Sequence, residues 1–364
     1  TLNFAAVMAQ CARIYKKFDK DFAKQCRRQA KIAYQAALDN PMMYSGTDVE
    51  GDDIPASAYS VTNGDGGGMY GDTEVRDDFY WAAAELYITT RQHKYKKAML
   101  NSVVHGRYNV PPEDTLTETE AVPLSLFNWG HTNMLGVISI VTTGDAYHLP
   151  GFLMENGEEL LLKAADFYVT ETEKPGYALP LDSNVLEWGS NSFVVNNMMV
   201  LGIANDIICG EHDNYLQAMS RGFNYLFGNN PMGFSYVTGY GEHALQQPHH
   251  RFWAQAAHED FPPPPPGVMS GGPNTNHSDP VSLAKLQNCP SEKCFIDDIG
   301  SWSTNEITIN WNSPFAWVVA YLDEQTNPEL AEDQSWYCEE KSAVNLLWLL
   351  VLLPLLYGYR RQPN

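Results

Sequence analysis

Residues 295–313 read FIDDIGSWSTNEITINWNS and combine acidic, aromatic and apolar residues at suggestive spacing. Asp297 is followed by Trp302, which is followed four residues later by Glu306. Beyond Glu306, apolar residues recur as they do on one face of a helix: Ile307, Trp311, Phe315, Val318 and Val319. The stretch therefore predicts a carboxyl group at the entrance of a helix, beside an aromatic surface.

A carboxyl group beside an indole suits glycoside hydrolysis, in which a carboxylic acid stays protonated near neutral pH to donate to the leaving oxygen. The indole of Trp302 would exclude water, which raises the pKa of the acid, and would offer a flat face to a sugar ring. In the alternative, Thr304 caps a helix and Glu306 lies in its first turn only to complement the helix dipole. The residues alone favour this alternative, because acidic first turns are common.

The stretch also resembles the C-terminal signature of glycoside hydrolase family 9, the inverting cellulases. Seven residues occupy its positions: Phe295, Asp297, Trp302, Glu306, Thr308, Asn312 and Ser313. The resemblance implies that Glu306 is the catalytic general acid, that Asp297 supports the same site and that Trp302 contacts the substrate. It extends over residues 1–325, and it is closest to the bacterial branch in which an immunoglobulin-like domain precedes the catalytic domain.

A second polar cluster lies at residues 235–251, SYVTGYGEHALQQPHHR, within a long loop at 228–298. Two adjacent histidines, Arg251 and the rings of Tyr236 and Tyr240 offer hydrogen-bond donors and stacking faces for a neutral sugar. A metal cluster or a solvated polar loop is the alternative. His249 and His250 are adjacent, which is poor geometry for binding one ion.

The cluster resembles the other family 9 signature at seven positions: Ser235, Val237, Thr238, Gly241, Pro248, His249 and Arg251. His243 departs from the Asn, Lys or Arg of that signature, which we interpret as a tolerated change. The resemblance implies that His249 and Arg251 bind the glucosyl units beside the scissile bond, with Tyr240 as a further wall of the cleft.

Two tryptophans fall where family members carry cleft tryptophans that stack on glucose. They are Trp129, in FNWG, and Trp188, in LEWGSNS. Without the resemblance, each would be assigned to the core, because tryptophan is highly buried on average.

The resemblance also implies a calcium site just before the helix that begins at Asp77. Asp77 and Asp78 occupy two of the acidic positions, and Glu74 stands close before them. Clustered oxygen donors suit this hard cation. The alternative is a simple acidic helix start.

The composition limits the partners of the chain. A formal charge of −21 over 364 residues argues against nucleic acid, because phosphate binding needs a basic surface. Aromatic residues make up 12% of the chain, which favours stacking on an uncharged polymer. We expect cellulose or cello-oligosaccharides as partners, no membrane partner, no organic cofactor and a monomer.

Six cysteines do not make a disulfide scaffold in a chain of this length. Cys289 and Cys294 are close enough for a local disulfide in a secreted protein, or for half of a metal site, and we favour the disulfide. Residues 1–19 read as an amphipathic helix without the layout of an export signal. The resemblance nevertheless implies a secreted, extracellular enzyme.

Helical spacing recurs along the chain, whereas strand-like alternation is scarce. The predicted helices cover residues 1–19, 21–38, 77–90, 95–103, 126–141, 156–170, 192–209 and 214–227. This pattern predicts an all-α fold, either a toroid of helical hairpins or a generic bundle. The resemblance implies the toroid, an (α/α)6 barrel that is incomplete at the N-terminus.

We assign residues 1–325 to the catalytic domain and residues 326–364 to a tail that is atypical of the family. The tail contains NLLWLLVLLPLLYGYRR at 345–361. This apolar run is short for a membrane span and contains Pro354, so we expect a tail helix or an extension and not an anchor.

The general base of the family is the first Asp of an Asp-Ala-Gly-Asp motif, which does not occur in this sequence. We expect Thr1 to lie beyond it, and Asp65 in NGDGGG is a superficial match that is not assigned the role. The sequence therefore leaves two functions open. The first is cleavage of β-1,4-glucosidic bonds with inversion, and the second is β-glucan binding by a catalytically impaired fragment. A purely structural helical domain is disfavoured by two signatures in one chain.

Overall fold

The computed structural model describes residues 1–41, 75–102, 105, 127–182, 186–210 and 212–327. In these ranges the regular structure is helical, with isolated bridges and no β-strand, which confirms the predicted all-α fold. The helices are α1 (Leu2–Ile14), α2 (Lys20–Asp39), α3 (Arg76–Thr90), α4 (His93–Leu100), α5 (Asn133–Thr143), α6 (Gly151–Glu173), α7 (Ser190–Ile207), α8 (Asn214–Leu226), α9 (Pro280–Lys285), α10 (Trp302–Asn305) and α11 (Ile309–Thr326).

Neighbouring helices share one hydrophobic core. α1 packs against α2 and α3, α3 against α5, α5 against α6, and α6 against α7. α7 also contacts α8 and α11, and its sequence SNSFVVNNMMVLGIANDI is buried on almost every side. A helix that is largely apolar all round belongs inside a protein, so α7 is the central element on which the site segments rest.

A buried ion pair fixes α1 against α3. Arg13 binds Glu85, and both side chains are almost completely buried. The carboxylate of Glu85 also accepts hydrogen bonds from Gln10 at 2.7 Å, from the indole of Trp81 at 3.2 Å and from Ser139 on α5. A buried charge is tolerated when it is paired and hydrogen-bonded, and this cluster meets both conditions.

The segment between α8 and α11 is mostly irregular, as predicted for the loop at 228–298, although the short helices α9 and α10 and a 3₁₀ turn (Ser291–Lys293) interrupt it. Isolated bridges hold it together, joining Ser235 to Ala244, Val237 to Met269, and His249 to Glu306. The two sequence signatures therefore meet in space.

Helix bounds differ from the sequence prediction at two positions near the site. The helix predicted at 126–141 begins only at Asn133, with Thr132 in the N-cap position. The amide of Thr132 donates to the Asp77 carboxylate at 2.7 Å, which holds the start of this helix against α3. The last helix begins at Ile309, after Thr308 in the cap position. Thr304 lies within α10 and Glu306 has an extended backbone, so the alternative of a Thr304 cap with Glu306 in the first helical turn is wrong.

In the part of the chain that the structure describes, no helix has the length and apolar character needed to span a membrane. The apolar run at 345–361, Asp65 and Glu74 lie outside the described residues, so the predictions made for them stay predictions.

Candidate active site

Glu306 is held in an extended segment between α10 and α11. On one side, the His249 amide donates to the Asn305 carbonyl at 2.9 Å, and the Ile307 amide donates to the His249 carbonyl at 3.3 Å. On the other side, the Gly271 amide donates to the Glu306 carbonyl at 2.9 Å. These backbone bonds fix the direction of Glu306 without engaging its carboxyl group.

The carboxyl group of Glu306 is mostly buried beside three predicted site residues. Burial raises its pKa above the ordinary value for a glutamic acid, while the charge of His249, a hydrogen bond from Trp188 and the charge of Arg251 act in the opposite direction. Burial is the largest of these effects. The structure thus brings Trp188, His249 and Arg251 to Glu306, as the sequence analysis predicted.

His249 is oriented by the stretch that carries Glu306. Its Nδ1 lies 2.6 Å from the carbonyl oxygen of Ile299, which can only accept, so Nδ1 carries the proton in that hydrogen bond. Nε2 is then the nitrogen that remains for other partners. The ring also lies 5.8 Å from the Trp302 ring, at 60° to it.

Trp302 presents a partly exposed indole at the start of α10. Its exposed fraction is 36%, and its Nε1 donates to Ser278 Oγ at 3.3 Å. Because the indole is partly exposed and its polar edge is hydrogen-bonded, its apolar face is available for stacking on a sugar ring. This exposure agrees with the predicted role of Trp302 and does not test it.

Asp297 joins the two sequence signatures through backbone amides. Its Oδ2 accepts from the Gln246 amide at 2.9 Å and its Oδ1 from the Gln247 amide at 2.8 Å. Asn305, next to Glu306, donates to the same Oδ1 at 3.4 Å and to the Gln247 carbonyl at 2.7 Å. Asp297 therefore acts on the loop that leads to His249, as a positioning residue.

The His250 side chain stabilises the turn that follows it. Its Nδ1 accepts from the amides of Phe252 and Trp253 at 3.2 and 3.0 Å, and its ring stacks on Trp253 with centroids 4.3 Å apart. Burial and the neighbouring His249 lower the pKa of His250, which favours the neutral ring that can accept these bonds. The sequence alone could not separate the roles of these two adjacent histidines.

The two tyrosines of the second signature differ in exposure. Tyr236 is completely buried, with its ring edge against Phe295 at 4.9 Å, so its expected role as a sugar-stacking ring is wrong. Tyr240 is 54% exposed and packs against Phe227. Trp129 is 38% exposed in the turn before α5. The roles of Tyr240 and Trp129 as cleft walls stay predictions.

Two glycines near the site were missed by the sequence analysis. A Cβ at Gly271 would lie 2.7 Å from the Trp311 ring, and one at Gly189 would lie 2.9 Å from it. Gly189 also has φ of 84°, which favours glycine. Trp311 is buried between the backbones of Gly189, which follows Trp188, and of Gly271, which donates to the Glu306 carbonyl. The glycine pair in SGGP at 270–273 was the available signal.

Two of the predicted calcium ligands, Asp77 and Asp78, lie in the first turn of α3 and face Thr132 at the start of α5. Thr132 Oγ1 is 3.4 Å from Asp77 Oδ2 and 3.1 Å from Asp78 Oδ1, so three oxygen-bearing groups converge there. Asp77 is also buried and bound to the Thr132 amide.

A second candidate metal group contains two cysteines. The ligand-type atoms of His277, Cys289 and Cys294 lie within 4.8 Å of one another. The two sulfurs are joined in a disulfide, as the sequence analysis favoured, so in this structure they are not thiolate ligands.

Comparison with known proteins identifies the family of the chain. The family model for glycosyl hydrolase family 9 matches residues 1–319. The chain is 44% identical to a cellulose 1,4-beta-cellobiosidase of Acetivibrio thermocellus over 89% of the chain and 35% of that protein. It is 35% identical to endoglucanase C of Cellulomonas fimi over 90% of the chain and 28% of that protein.

A solved structure shares the fold. The structure of AaCel9A in complex with cellobiose-like isofagomine matches with a TM-score of 0.69 at 27% identity, over 88% of this chain and 55% of that one. The predicted (α/α)6 barrel is thereby confirmed as the fold. The chain spans about a third of the length of the two curated relatives named above.

Proposed function

The chain belongs to glycosyl hydrolase family 9, and from this membership we propose that it acts on β-1,4-glucan, with Glu306 as the general acid of an inverting hydrolysis. The observation that carries the proposal is the Glu306 carboxyl group, mostly buried and with a raised pKa, beside Trp188, His249 and Arg251. A cellobiosidase and an endoglucanase among the relatives, and a cellobiose-like ligand in a related structure, support cellulose and cello-oligosaccharides as substrates.

Protonated Glu306 would donate its proton to the glycosidic oxygen as the bond between that oxygen and the anomeric carbon breaks. The burial that raises its pKa keeps the carboxyl group protonated at higher pH than an exposed glutamate. Arg251 and His249 would bind sugar hydroxyls beside the bond, and the faces of Trp188 and Trp302 would stack on glucosyl rings.

Inversion also requires a carboxylate that activates water from the opposite face of the sugar, about 6.5–9.5 Å from the acid. Asp297 does not suit this role, because both of its oxygens accept backbone amide bonds. The Asp-Ala-Gly-Asp motif is absent from the sequence. We therefore assign the base to no residue of this chain.

The second candidate function is β-glucan binding without turnover, which needs the sugar-binding groups and no general base. The two candidates differ in a simple experiment, in which cello-oligosaccharide binding is measured by calorimetry and reducing-sugar release is measured in parallel. Binding with release supports the hydrolase, and binding alone supports the binding fragment. A chain that shows neither would be a structural domain, and both proposals would be wrong.

We also propose that Asp77 and Asp78 bind Ca²⁺, with Glu74 as a further ligand. The convergence of both carboxylates on the hydroxyl of Thr132 supports the proposal, because calcium prefers several oxygen ligands. An ion there would connect the start of α3 to the start of α5, and its role would be structural.

Secretion is a further proposal, supported by the disulfide between Cys289 and Cys294, since such bonds persist in oxidising environments. Fractionating a culture of the source cells and locating the protein with an antibody would test it, and confinement to the reducing cytosol would contradict it.

A further inference from the structure

Two thiols face each other across the first helical hairpin. Cys11 lies near the end of α1 and Cys26 in α2, on either side of a 3₁₀ turn (Tyr15–Lys17). Their Sγ atoms are 2.9 Å apart. Cys26 is 1% exposed, whereas Cys11 is partly exposed. The sequence analysis assigned no role to this pair, and neither residue belongs to the candidate active site.

We infer that Cys11 and Cys26 are an oxidative cross-linking site, at which a disulfide joins α1 to α2. The sulfurs of a disulfide are about 2.04 Å apart, so the two atoms need to approach by only about 0.9 Å. Rotation of the two side chains would bring the sulfurs together. The inference is independent of the proposed function.

The reaction is thiol–disulfide exchange with a small-molecule or protein disulfide as the oxidant. The Cys11 thiolate, the more accessible of the two, attacks one sulfur of the oxidant and expels the other as a thiolate. The Cys26 thiolate then attacks the Cys11 sulfur of this mixed disulfide and expels the second thiolate. Two protein thiols are oxidised, one oxidant disulfide is reduced to two thiols, and the two protons pass to the expelled thiolates.

The surroundings of the pair suit a bond that forms slowly and then persists. Burial, together with the neighbouring Cys26 thiol, raises the pKa of Cys11 to about 11, so little reactive thiolate is present at neutral pH. The same burial protects the finished bond from reductants. The cross-link would hold α1 in the position from which Arg13 and Gln10 bind Glu85 of α3.

Peptide mapping of the intact, unmutated chain tests the inference directly. The protein is equilibrated with oxidised glutathione, alkylated while denatured and digested with trypsin. Cleavage after Arg13, Lys24 and Arg27 places Cys11 and Cys26 on separate peptides. The expected result is a linked pair of peptides 1–13 and 25–27 that separates on reduction.

The digest contains its own control, because cleavage after Lys293 places Cys289 and Cys294 on separate peptides that their disulfide keeps together. The inference is overturned if these peptides are linked while Cys11 and Cys26 are both alkylated. It is also overturned if the two cysteines carry only glutathione.

Thermal unfolding gives a second readout. Reduction should lower the Tm of the oxidised wild-type chain by about 5 °C more than that of a Cys11→Ala variant, since a loop closed over 15 residues restricts the unfolded chain. The Cys11→Ala variant retains every other cysteine and is the matched control. Equal decreases in the two proteins would contradict the cross-link.

Discussion

Replacing Glu306 by Gln is the change that most sharply separates an acid catalyst from a structural side chain. Glutamine has nearly the same shape, and its carbonyl oxygen can still accept the hydrogen bond from the Trp188 indole. The bonds that position residue 306 come from backbone atoms of His249 and Gly271 and are unaffected. The variant should therefore fold and bind cello-oligosaccharides within about threefold of the wild type.

The variant cannot donate the proton. A positioned general acid contributes about 10²- to 10⁴-fold to the rate, or about 3–5 kcal/mol of barrier. Hydrolysis of cellotetraose should fall by this factor. A 2,4-dinitrophenyl cellobioside needs no protonation of its leaving group, so its cleavage should fall by less than about tenfold.

The assay compares release from these two substrates by wild type, Glu306→Gln and Glu242→Gln. Glu242 is an exposed glutamate of the second signature and provides the matched control. Sodium azide is added in a parallel series, since this anion can attack the sugar without a general base. Equal losses on the two substrates, or cellotetraose cleavage within tenfold of wild type, would refute the acid role of Glu306.

Four further predictions follow from the same contacts. The Trp188→Phe substitution removes a hydrogen bond that stabilises the Glu306 carboxylate, so the pKa of Glu306 should rise. The fall of kcat at high pH should then move to higher pH. An unchanged pH profile would contradict this prediction. The Asp297→Ala substitution should raise KM for cellotetraose and destabilise the chain by about 1–3 kcal/mol in urea unfolding, because the amides of Gln246 and Gln247 lose their acceptor. An unchanged KM and unchanged stability would contradict a positioning role for Asp297. Because the pKa of Glu306 is raised in the folded state, the stability that this residue contributes is present at low pH and is lost as the pH rises through that pKa. The Glu306→Gln variant should therefore gain stability relative to wild type from pH 4 to pH 8. Calcium chelation should lower Tm in wild type and have no effect in Asp78→Ala; an equal response in both would exclude Asp78 as a ligand.

The sequence identified the elements of this site better than their detailed geometry. Residue types and spacing made Glu306, His249 and Arg251 candidates, and the resemblance to two family signatures selected them. Helical periodicity was enough for an all-α fold. Neither the spacing of residues nor the helical periodicity could show that residues 249, 271 and 306 lie side by side, since that contact joins distant parts of an irregular segment.

The failures have physical causes as well. Tyr236 was expected to stack on sugar, but it fills the core against Phe295, and a single sequence does not show which of two nearby tyrosines is buried. The position of Glu306 at the entrance of a helix was predicted, but the hydrogen bond that its carbonyl accepts from the Gly271 amide was not. The sequence analysis gave Asp77 as a calcium ligand or as part of an acidic helix start, and it missed the hydrogen bond from the amide of Thr132 to this carboxylate.

The central claim is that burial raises the pKa of Glu306 beside the residues proposed to bind sugar. Carbon-13 NMR of the chain labelled at glutamate side-chain carboxyl groups measures this directly, with Glu306→Gln used to assign the resonance. We predict a pKa above the value of about 4.3 for an unperturbed glutamate, rising further when Trp188 is replaced by Phe. A Glu306 resonance that titrates at or below the unperturbed value would contradict the acid role and the function proposed from it.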